Sequence, residues 1–474
     1  MIGRRDFFVS GSMLAGAAAL LGKDGLASAQ DHLAPGDAAT PPTSFTAAGA
    51  GTRTRALPPG RPGRDYTPVT VPNGATLPYR VVGDTKVFHL VAEPVRHQMA
   101  PGLDLECWGY NGRTPGPVIE AVEGDRVRIY VTNRLPEATS LHWHGLFLPN
   151  GMDGVAGLTQ AAIQPGETHR YEFPLTRPGT FMYHPHADEM TQIALGMVGM
   201  FIVHPRAARA PRVDNDFVLM LGEWFVRPGT RRPDPNRMSD FNMLTFNSKA
   251  FPATEPLVVR KNARVRIRIG NLGPMDHHPV HLHGHAFRVT ATDGGAIAPS
   301  AQWPETTVLV PVGSTRDVEL VADALGDWAM HCHMTHHIMN QMGHDTPNFI
   351  GTRPGSLDRL ARRSVRGYMT MGRNGMGGMG EMQMPVPPNS IPMRGGPGPF
   401  GYIDMGGMFT ILKVRDADVT GDGGWYAHPA GTVAGVASAA DLQADGVELP
   451  PAVPAEPEAA PPDSHDGGMH HHGA

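Results

Sequence analysis

Four His-x-His pairs constrain this chain more than any other feature: His142/His144, His184/His186, His281/His283 and His331/His333. On an extended strand, residues i and i+2 share a face, so each pair presents two imidazoles in one direction. The pairs fall at matching places of a loose internal repeat. TSLHWHG at 139–145 is answered by HPVHLHG at 278–284, and HPH from His184 by HCH from His331. Ahead of each leading pair, GYNGRTPGPVIEAVEGDRVRIYVTNRL from Gly109 is answered by TFNSKAFPATEPLVVRKNARVRIRIGNLG from Thr245. Runs such as KVFHLVAE, RVRIYVTN, HRYEFPL and MFIVH alternate β-branched and polar residues between turn signals and predict strands. Two β-domains of similar plan are expected, at 79–206 and 214–351. Eight imidazoles on facing surfaces of two domains can hold a cluster of about three metal ions.

A second site is expected beside the fourth pair. The stretch HCHMTHHIMNQM at 331–342 holds four histidines, one cysteine and three methionines. Together with His278 it supplies His278, Cys332, His337 and Met342. A His2Cys set with a weak axial Met is the pattern of a blue-copper electron-transfer site. Its thiolate stands between His331 and His333, which belong to the cluster, so the path between the two sites is short and covalent. Composition agrees. The 24 His and 26 Met are high counts of soft or borderline metal ligands, and 58 Gly with 46 Pro suit many turns. The net charge of -5 and the lack of a basic patch argue against nucleic acid. Only two cysteines are present. If Cys332 binds metal no disulfide is possible, and Cys107, in LECWGYNG, is expected as a buried thiol.

The flanks read differently. Residues 1–29 contain Arg4-Arg5, a short apolar run and Ala27-Ser28-Ala29, and resemble a twin-arginine export signal. The run is too short to span a bilayer, and a soluble periplasmic or secreted protein is expected. Residues 30–78 are rich in Pro and Gly without periodicity, as in a linker. Residues 352–404 form a Met-, Gly- and Pro-rich insertion, with MTMGRNGMGGMGEMQMPVPPNSIPM inside it, a composition that cannot pack a core. MFTILKV at 408–414 reads as a strand, so 405–432 is expected to complete the second domain. Residues 433–474 are Ala- and Pro-rich, predict a disordered tail, and end HDGGMHHHGA.

The motifs LHWHG, YHPH, HPVHLHG and HCHMTHHIMNQM, spanning the two β-domains, resemble those of the multicopper oxidases, the relatives of laccases and copper-tolerance oxidases. The resemblance implies an all-β chain of two cupredoxin-like Greek-key domains. It also implies four coppers per subunit. His278, Cys332, His337 and Met342 match the type 1 ligands. His142 and His281 match the type 2 ligands. His144, His184, His186, His283, His331 and His333 match those of the type 3 pair. Asp153, in NGMDG, matches an acid that helps protons reach bound oxygen. Two positions depart from the family. Ile338 stands where many relatives carry a carboxylate, so Asp188 or Glu189 is the candidate second proton donor, and Gln341 stands where many have Gly. In the first domain Thr139, Pro185, Met190 and Leu195 occupy the type 1 positions, so one type 1 site is expected, in the second domain.

Only about 190 residues separate LHWHG from HCH, which leaves no room for a middle domain. The chain therefore resembles the two-domain branch of the family, whose members are typically homotrimers with each cluster shared between subunits. The expected activity is oxidation of Cu(I) or a small phenolic reductant coupled to reduction of oxygen to water. Cu(I) is favoured by the methionines at 369–384. No nucleic-acid or membrane partner is expected. Two other readings are a copper nitrite reductase, whose blue site would lie in the first domain, and a non-catalytic periplasmic copper binder, which would need neither Cys332 nor the paired histidines.

Overall fold

The strand RVRIYVTN (Arg126–Asn133) buries Val127, Ile129, Val131 and Asn133 on one face and leaves its arginines toward solvent. Its repeat counterpart RVRIRIGN (Arg264–Asn271) buries almost every residue from Val265 onward. The alternation is the same, but the second strand's polar face is covered by the first domain. Arg268, 3% exposed, pairs there with Asp216 at 2.7 Å and with Asp317 at 3.2 Å. It also donates to Thr180 Oγ1 of the first domain at 2.7 Å. A buried cation needs such partners, since an unpaired one would cost several kcal/mol.

A computed structural model describes residues 57–207, 212–227, 229–237, 239–340, 363–364, 388–417 and 421–450. They lie in one unit, Arg53–Ala474, and form two cupredoxin-fold domains built almost wholly of strands. In the first, one sheet runs Arg80–Val82, Thr85–Ala100, Arg126–Asn133, Thr168–Pro174, with Leu103–Tyr110 paired to Thr85–Ala100. The facing sheet is Ile119–Val122, Gly199–His204, Gly179–Tyr183. In the second, one sheet runs from Met243–Phe246 through Asn215–Trp224, Arg264–Asn271 and Ser314–Val321 to Phe287–Thr292. The other is Leu257–Arg260, Phe409–Arg415, Gly326–Cys332, His278–Leu282, Thr307–Val310. Phe409–Arg415 thus pairs on both sides within the second domain, although it follows the Met-rich stretch in sequence.

Each domain has its own apolar core. Trp143, Phe88, Phe173, Phe181 and Phe201 fill the first, and Leu244, Ile267, Ile269, Val310 and Leu412 the second. Between them lies an apolar layer with Met182, Met200, Ile202, Val218, Met220 and Leu272. The long hairpin of Thr85–Ala100 and Leu103–Tyr110 reaches across and packs Met99, Leu103 and Leu105 against Trp224, Val226 and Met243.

Residues 57–78, within the stretch read as linker, run as a strap over both domains. Thr70 N donates to Asp216 O and Leu77 N to Val118 O, both at 2.7 Å. Val69 N donates to Glu120 Oε1 at 3.1 Å, and Tyr66 stacks on His204 with ring centroids 4.1 Å apart. Composition could not show this, because most of the anchors are main-chain hydrogen bonds that leave no periodicity. Residues 388–404, the end of the predicted insertion, include the two-stranded pair Gly396–Gly398 and Gly401–Ile403. Residues 433–450 carry a short helix, Ala439–Ala444. The export-signal residues, the methionines at 369–384 and the terminal histidines lie outside the described residues.

Candidate metal centre

The first cluster forms where two strands of the second domain and the turn after them converge. His278 opens the strand His278–Leu282, Cys332 closes the strand Gly326–Cys332, and His337 lies in the 3-10 turn Thr335–Ile338. The two strands are paired antiparallel. Cys332 Sγ lies 3.7 Å from His278 Nδ1 and 3.4 Å from His337 Nδ1, and the two Nδ1 atoms are 3.2 Å apart. All three residues are 1% exposed or less. Each ring has a carboxylate at its far nitrogen. His278 Nε2 is 3.0 Å from Glu223 Oε1, and His337 Nε2 is 3.6 Å from Asp276 Oδ2. Those acids favour the proton on Nε2, leaving two Nδ1 lone pairs and a sulfur facing one point. Facing lone pairs repel unless a cation stands between them, so the donor set fits a bound soft metal ion. Burial pushes the Cys332 thiol up to about 12, so without such a cation it stays protonated.

Glu223 and Asp276 were not singled out in the sequence. Glu223 is wholly buried and also accepts from Met275 N at 3.2 Å and Asp276 N at 3.0 Å. A signal was present: Glu223 is a lone acid in the apolar run FVLMLGEWFV. Asp276 precedes the His277-His278 doublet and carries no periodic or compositional signal of its own. Met342, the expected fourth ligand, lies outside the described residues, as does Gln341. Among the described residues, the first domain holds no matching trio of two histidines and a cysteine. Thr139 is buried with its hydroxyl on Gln192 Oε1 at 2.7 Å, and Leu195 is a core residue.

The eight paired histidines form two quartets. In the first domain His142 bridges antiparallel to His184, with His142 N on His184 O at 2.8 Å. In the second, His281 pairs antiparallel with His331. Each pairing sets four imidazoles on one face, with ring centroids 5.3–6.1 Å apart in the first quartet and 4.8–5.7 Å in the second. The glycine after each leading pair, Gly145 or Gly284, has positive φ (88° and 69°). A Cβ on Gly284 would strike the Trp328 ring at 2.2 Å, so only glycine lets the chain turn there.

Tautomers are fixed in parallel ways. His184 Nδ1 donates to the carbonyl of Pro185 at 2.9 Å, and His331 Nδ1 to that of Cys332 at 2.8 Å. His142 Nδ1 donates to Asp153 O at 2.8 Å, and His281 Nδ1 to Thr306 O at 2.7 Å. Nε2 is left as the lone-pair donor in all four. His184 Nε2 then meets His144 Nδ1 at 3.3 Å, and His331 Nε2 meets His283 Nε2 at 3.2 Å. Burial pushes His184 down to about 3, helped by its histidine neighbours, and lowers His144, His283 and His331 for the same reasons. These rings are neutral at pH 7, the form that ligates.

Within the chain the quartets stay apart. Among the described residues no hydrogen bond or ring contact joins them. The first faces a cavity of about 630 Å³ whose far wall is Leu272, Gly273, Pro274, Val312 and Gly313 of the second domain. The second lies open, with His283 and His333 exposed. Asp153 Oδ1 is 3.4 Å from His142 Nδ1. Glu189, rather than Asp188, reaches the histidines, with Oε1 3.3 Å from His184 Nδ1 and Oε2 3.8 Å from His186 Nε2. Asp188 has left-handed backbone and makes no side-chain cap to the helix it precedes. Ile338 follows His337 and offers no proton.

Sequence models of multicopper oxidase domains match residues 92–208 and 227–348, together half of the chain. Copper resistance protein A of Pseudomonas syringae pv. tomato is 26% identical over 317 residues, 57% of this chain and 50% of that protein. Copper resistance protein A of Escherichia coli is 28% identical over 329 residues, 59% of this chain and 52% of that protein. The chain spans about half the length of these relatives. Among solved structures, the blue copper oxidase from Nitrosomonas europaea is similar at 27% identity and a TM-score of 0.50, covering 69% of this chain and 85% of that one.

Proposed function

The chain belongs to the multicopper oxidase family, and from that premise we propose that it couples one-electron oxidation of a small reductant to reduction of oxygen to water. The observation that carries the reading is the buried trio His278, Cys332 and His337, joined through one cysteine to the histidines on either side of it. Copper bound there and in the quartets would supply one-electron acceptance at the trio and multi-electron delivery to oxygen at the cluster. His278, Cys332 and His337 would hold the type 1 ion, with Met342 proposed as a further, thioether ligand. His142 and His281 would hold the type 2 ion, and the other six paired histidines the type 3 pair.

The residues around these ligands have definable work. Glu223 and Asp276 orient the two trio imidazoles and place negative charge beside them. Cys332 is buried and joined by peptide bonds to both His331 and His333, while His331 donates back to the Cys332 carbonyl. Asp153 and Glu189 stand at the edge of the first quartet and are the groups placed to deliver protons there.

Because neither quartet is complete alone, the cluster is read as shared: the first domain of one subunit meets the second domain of the next, in a homotrimer. Support comes from the open face at His283 and His333 and from the separation of the quartets within the chain. Cu(I) is the favoured reductant. Asn340 N donates to Met393 O at 3.0 Å, so the residues flanking the Met-rich stretch meet beside the His337 turn. Met275, 54% exposed, adds a thioether next to Asp276. Export to the periplasm or beyond is proposed from the Arg4-Arg5 segment. No helix among the described residues is long and apolar enough to cross a membrane.

Oxygen uptake by the copper-loaded protein, with Cu(I) and a simple phenol side by side, tests the activity. Fast uptake with Cu(I) and slow uptake with the phenol is expected. No uptake with either, at full copper loading, refutes the oxidase reading. Sedimentation of the same sample tests the assembly, and a monomer carrying four coppers refutes the shared cluster.

A further inference from the structure

Beyond Phe409–Arg415 the chain is tied down once more and then leaves the body. Arg415 Nη2 donates to Gly424 O at 2.8 Å and to Asp327 Oδ1 at 2.6 Å, and Tyr426 N donates to Asp327 Oδ2 at 2.8 Å. Lys413 Nζ lies over the Trp425 ring at 4.9 Å. His428 still touches Phe400 and Tyr426. From residue 429 to residue 450 every hydrogen bond is internal: Thr432 to Pro429, the Ser438 cap on Asp441, and the turns of the helix Ala439–Ala444. Every residue of 429–450 is exposed except Leu442, which is half-buried.

This arm is built like something that packs. Val436 is fully exposed, and Leu449, Val447 and Val433 are 69%, 51% and 47% exposed. The helix has six residues and a Ser438 side-chain cap. Helices shorter than about 12–15 residues are marginal in water without a surface to pack on. Among the described residues of its own chain the arm has no such surface. It carries Asp441, Asp445 and Glu448 but no Lys or Arg, so nothing on it discourages burial except three carboxylates at the rim of the helix and beyond.

The root of the arm says which surface. Asp327 and Cys332 lie on one strand, Gly326–Cys332. At about 3.4 Å per residue, the root is roughly 15–20 Å from the open face at His283 and His333. An arm spanning 429–450 reaches up to about 75 Å when extended. The arm is therefore rooted at the far end of that strand, and its length spans the distance to the face that another subunit has to cover.

We propose that residues 429–450 are an exchange arm that docks on a second copy of this chain, with Val433, Val436, Val447 and Leu449 as its apolar anchors, and fastens the subunits that share the histidine cluster. The inference rests on the shared-cluster reading. It adds to that reading a fastening element outside both β-domains.

The test uses the copper-loaded full-length chain as a mixture of isotope-labelled and unlabelled copies. Val436→Cys, coupled to a photo-activated cross-linker, reads which copy the arm touches. Cross-links between labelled and unlabelled peptides are expected. Two companions, a chain ending after His428 and the double variant Val436→Asp/Leu449→Asp, are diluted in parallel. Both are expected to dissociate at a concentration at least tenfold higher than the parent. Cross-links confined to one copy, with both variants dissociating like the parent, overturn the arm and leave the shared cluster intact. A full-length chain that is monomeric with four coppers bound overturns the shared cluster, and the arm with it.

Discussion

Glu223 Oε1 lies 3.0 Å from His278 Nε2, and both side chains are wholly inside the protein although 55 residues separate them in sequence. The acid also gathers the N–H groups of Met275 and Asp276, so one carboxylate fixes both the ring and the loop that carries it. Replacement by Gln keeps the volume but turns an amide NH2 toward donors and removes a buried negative charge. Glu223→Gln is expected to retain a blue absorption band, to raise the midpoint potential of the type 1 site, and to weaken copper binding. Glu223→Ala, which frees the loop as well, is expected to lower copper affinity by about 10–100-fold. Redox titration and copper competition measure both. An unchanged potential in Glu223→Gln would refute the electrostatic role.

Cys332→Ser separates the two metal sites. The hydroxyl is a poor soft-metal ligand, so the blue band and reductant oxidation are expected to disappear, with oxygen uptake down by about 10³-fold or more. The eight paired histidines are untouched, so three of four coppers are expected to remain by elemental analysis. A variant that still consumes oxygen at the parent rate would show that electrons do not enter through this cysteine.

Asn340 joins the His337 turn to the chain returning from the Met-rich stretch. Its side chain donates to Phe251 O at 3.3 Å and accepts from Gly407 N at 2.9 Å, and its own N–H reaches Met393 O. Gly407 cannot be replaced easily, since a Cβ there would lie 2.4 Å from His337 O. Asn340→Ala strands the buried Gly407 N–H, and a loss of about 1–3 kcal/mol in chemical denaturation is expected. If the turn is also loosened, type 1 copper is lost before cluster copper on stepwise chelation.

His97 reports on the hairpin that crosses between domains. Burial pushes it down to about 4, against the opposing pull of the Ser248 carbonyl, which its Nε2 meets. The unfolded value is about 6.5. The neutral ring is favoured in the folded state, so its contribution is complete above pH 6.5 and is lost as the pH falls from 6.5 toward 4. The ring is half-buried, so a loss of about 1–2 kcal/mol is expected from this group. Denaturation midpoints of the parent and His97→Gln, compared at pH 7.5 and 4.5, isolate it. The variant is expected to lose less stability on acidification, and parallel losses would contradict the assignment.

The paired histidines were legible because a strand's period of two is local. His142 and His144, or His331 and His333, share a face whatever else the chain does. The trio's convergence was legible because a thiol between imidazoles, with His278 and His337 beside it, is a soft-metal donor set, and the structure brings its sulfur and two Nδ1 atoms together. The partners that tune these ligands were harder to see. Glu223, Asp276 and the Pro185 and Cys332 carbonyls act through hydrogen bonds to ring nitrogens, and a single such contact has no period and no composition. The strap at 57–78 escaped for the same reason.

The sequence by itself determined the strand plan, its repetition, and which side chains could bind metal, since backbone parity and ligand chemistry are properties of short stretches. Only the tertiary structure decided which nitrogen is left as the lone-pair donor on His142, His184, His281, His331, His278 and His337, which acids stand behind the trio's rings, and that the two quartets do not meet within one chain. Those depend on distances between residues far apart in sequence. Such distances are set by how two packed cores, Arg268 buried between them, and a returning strand at Phe409–Arg415 fit together.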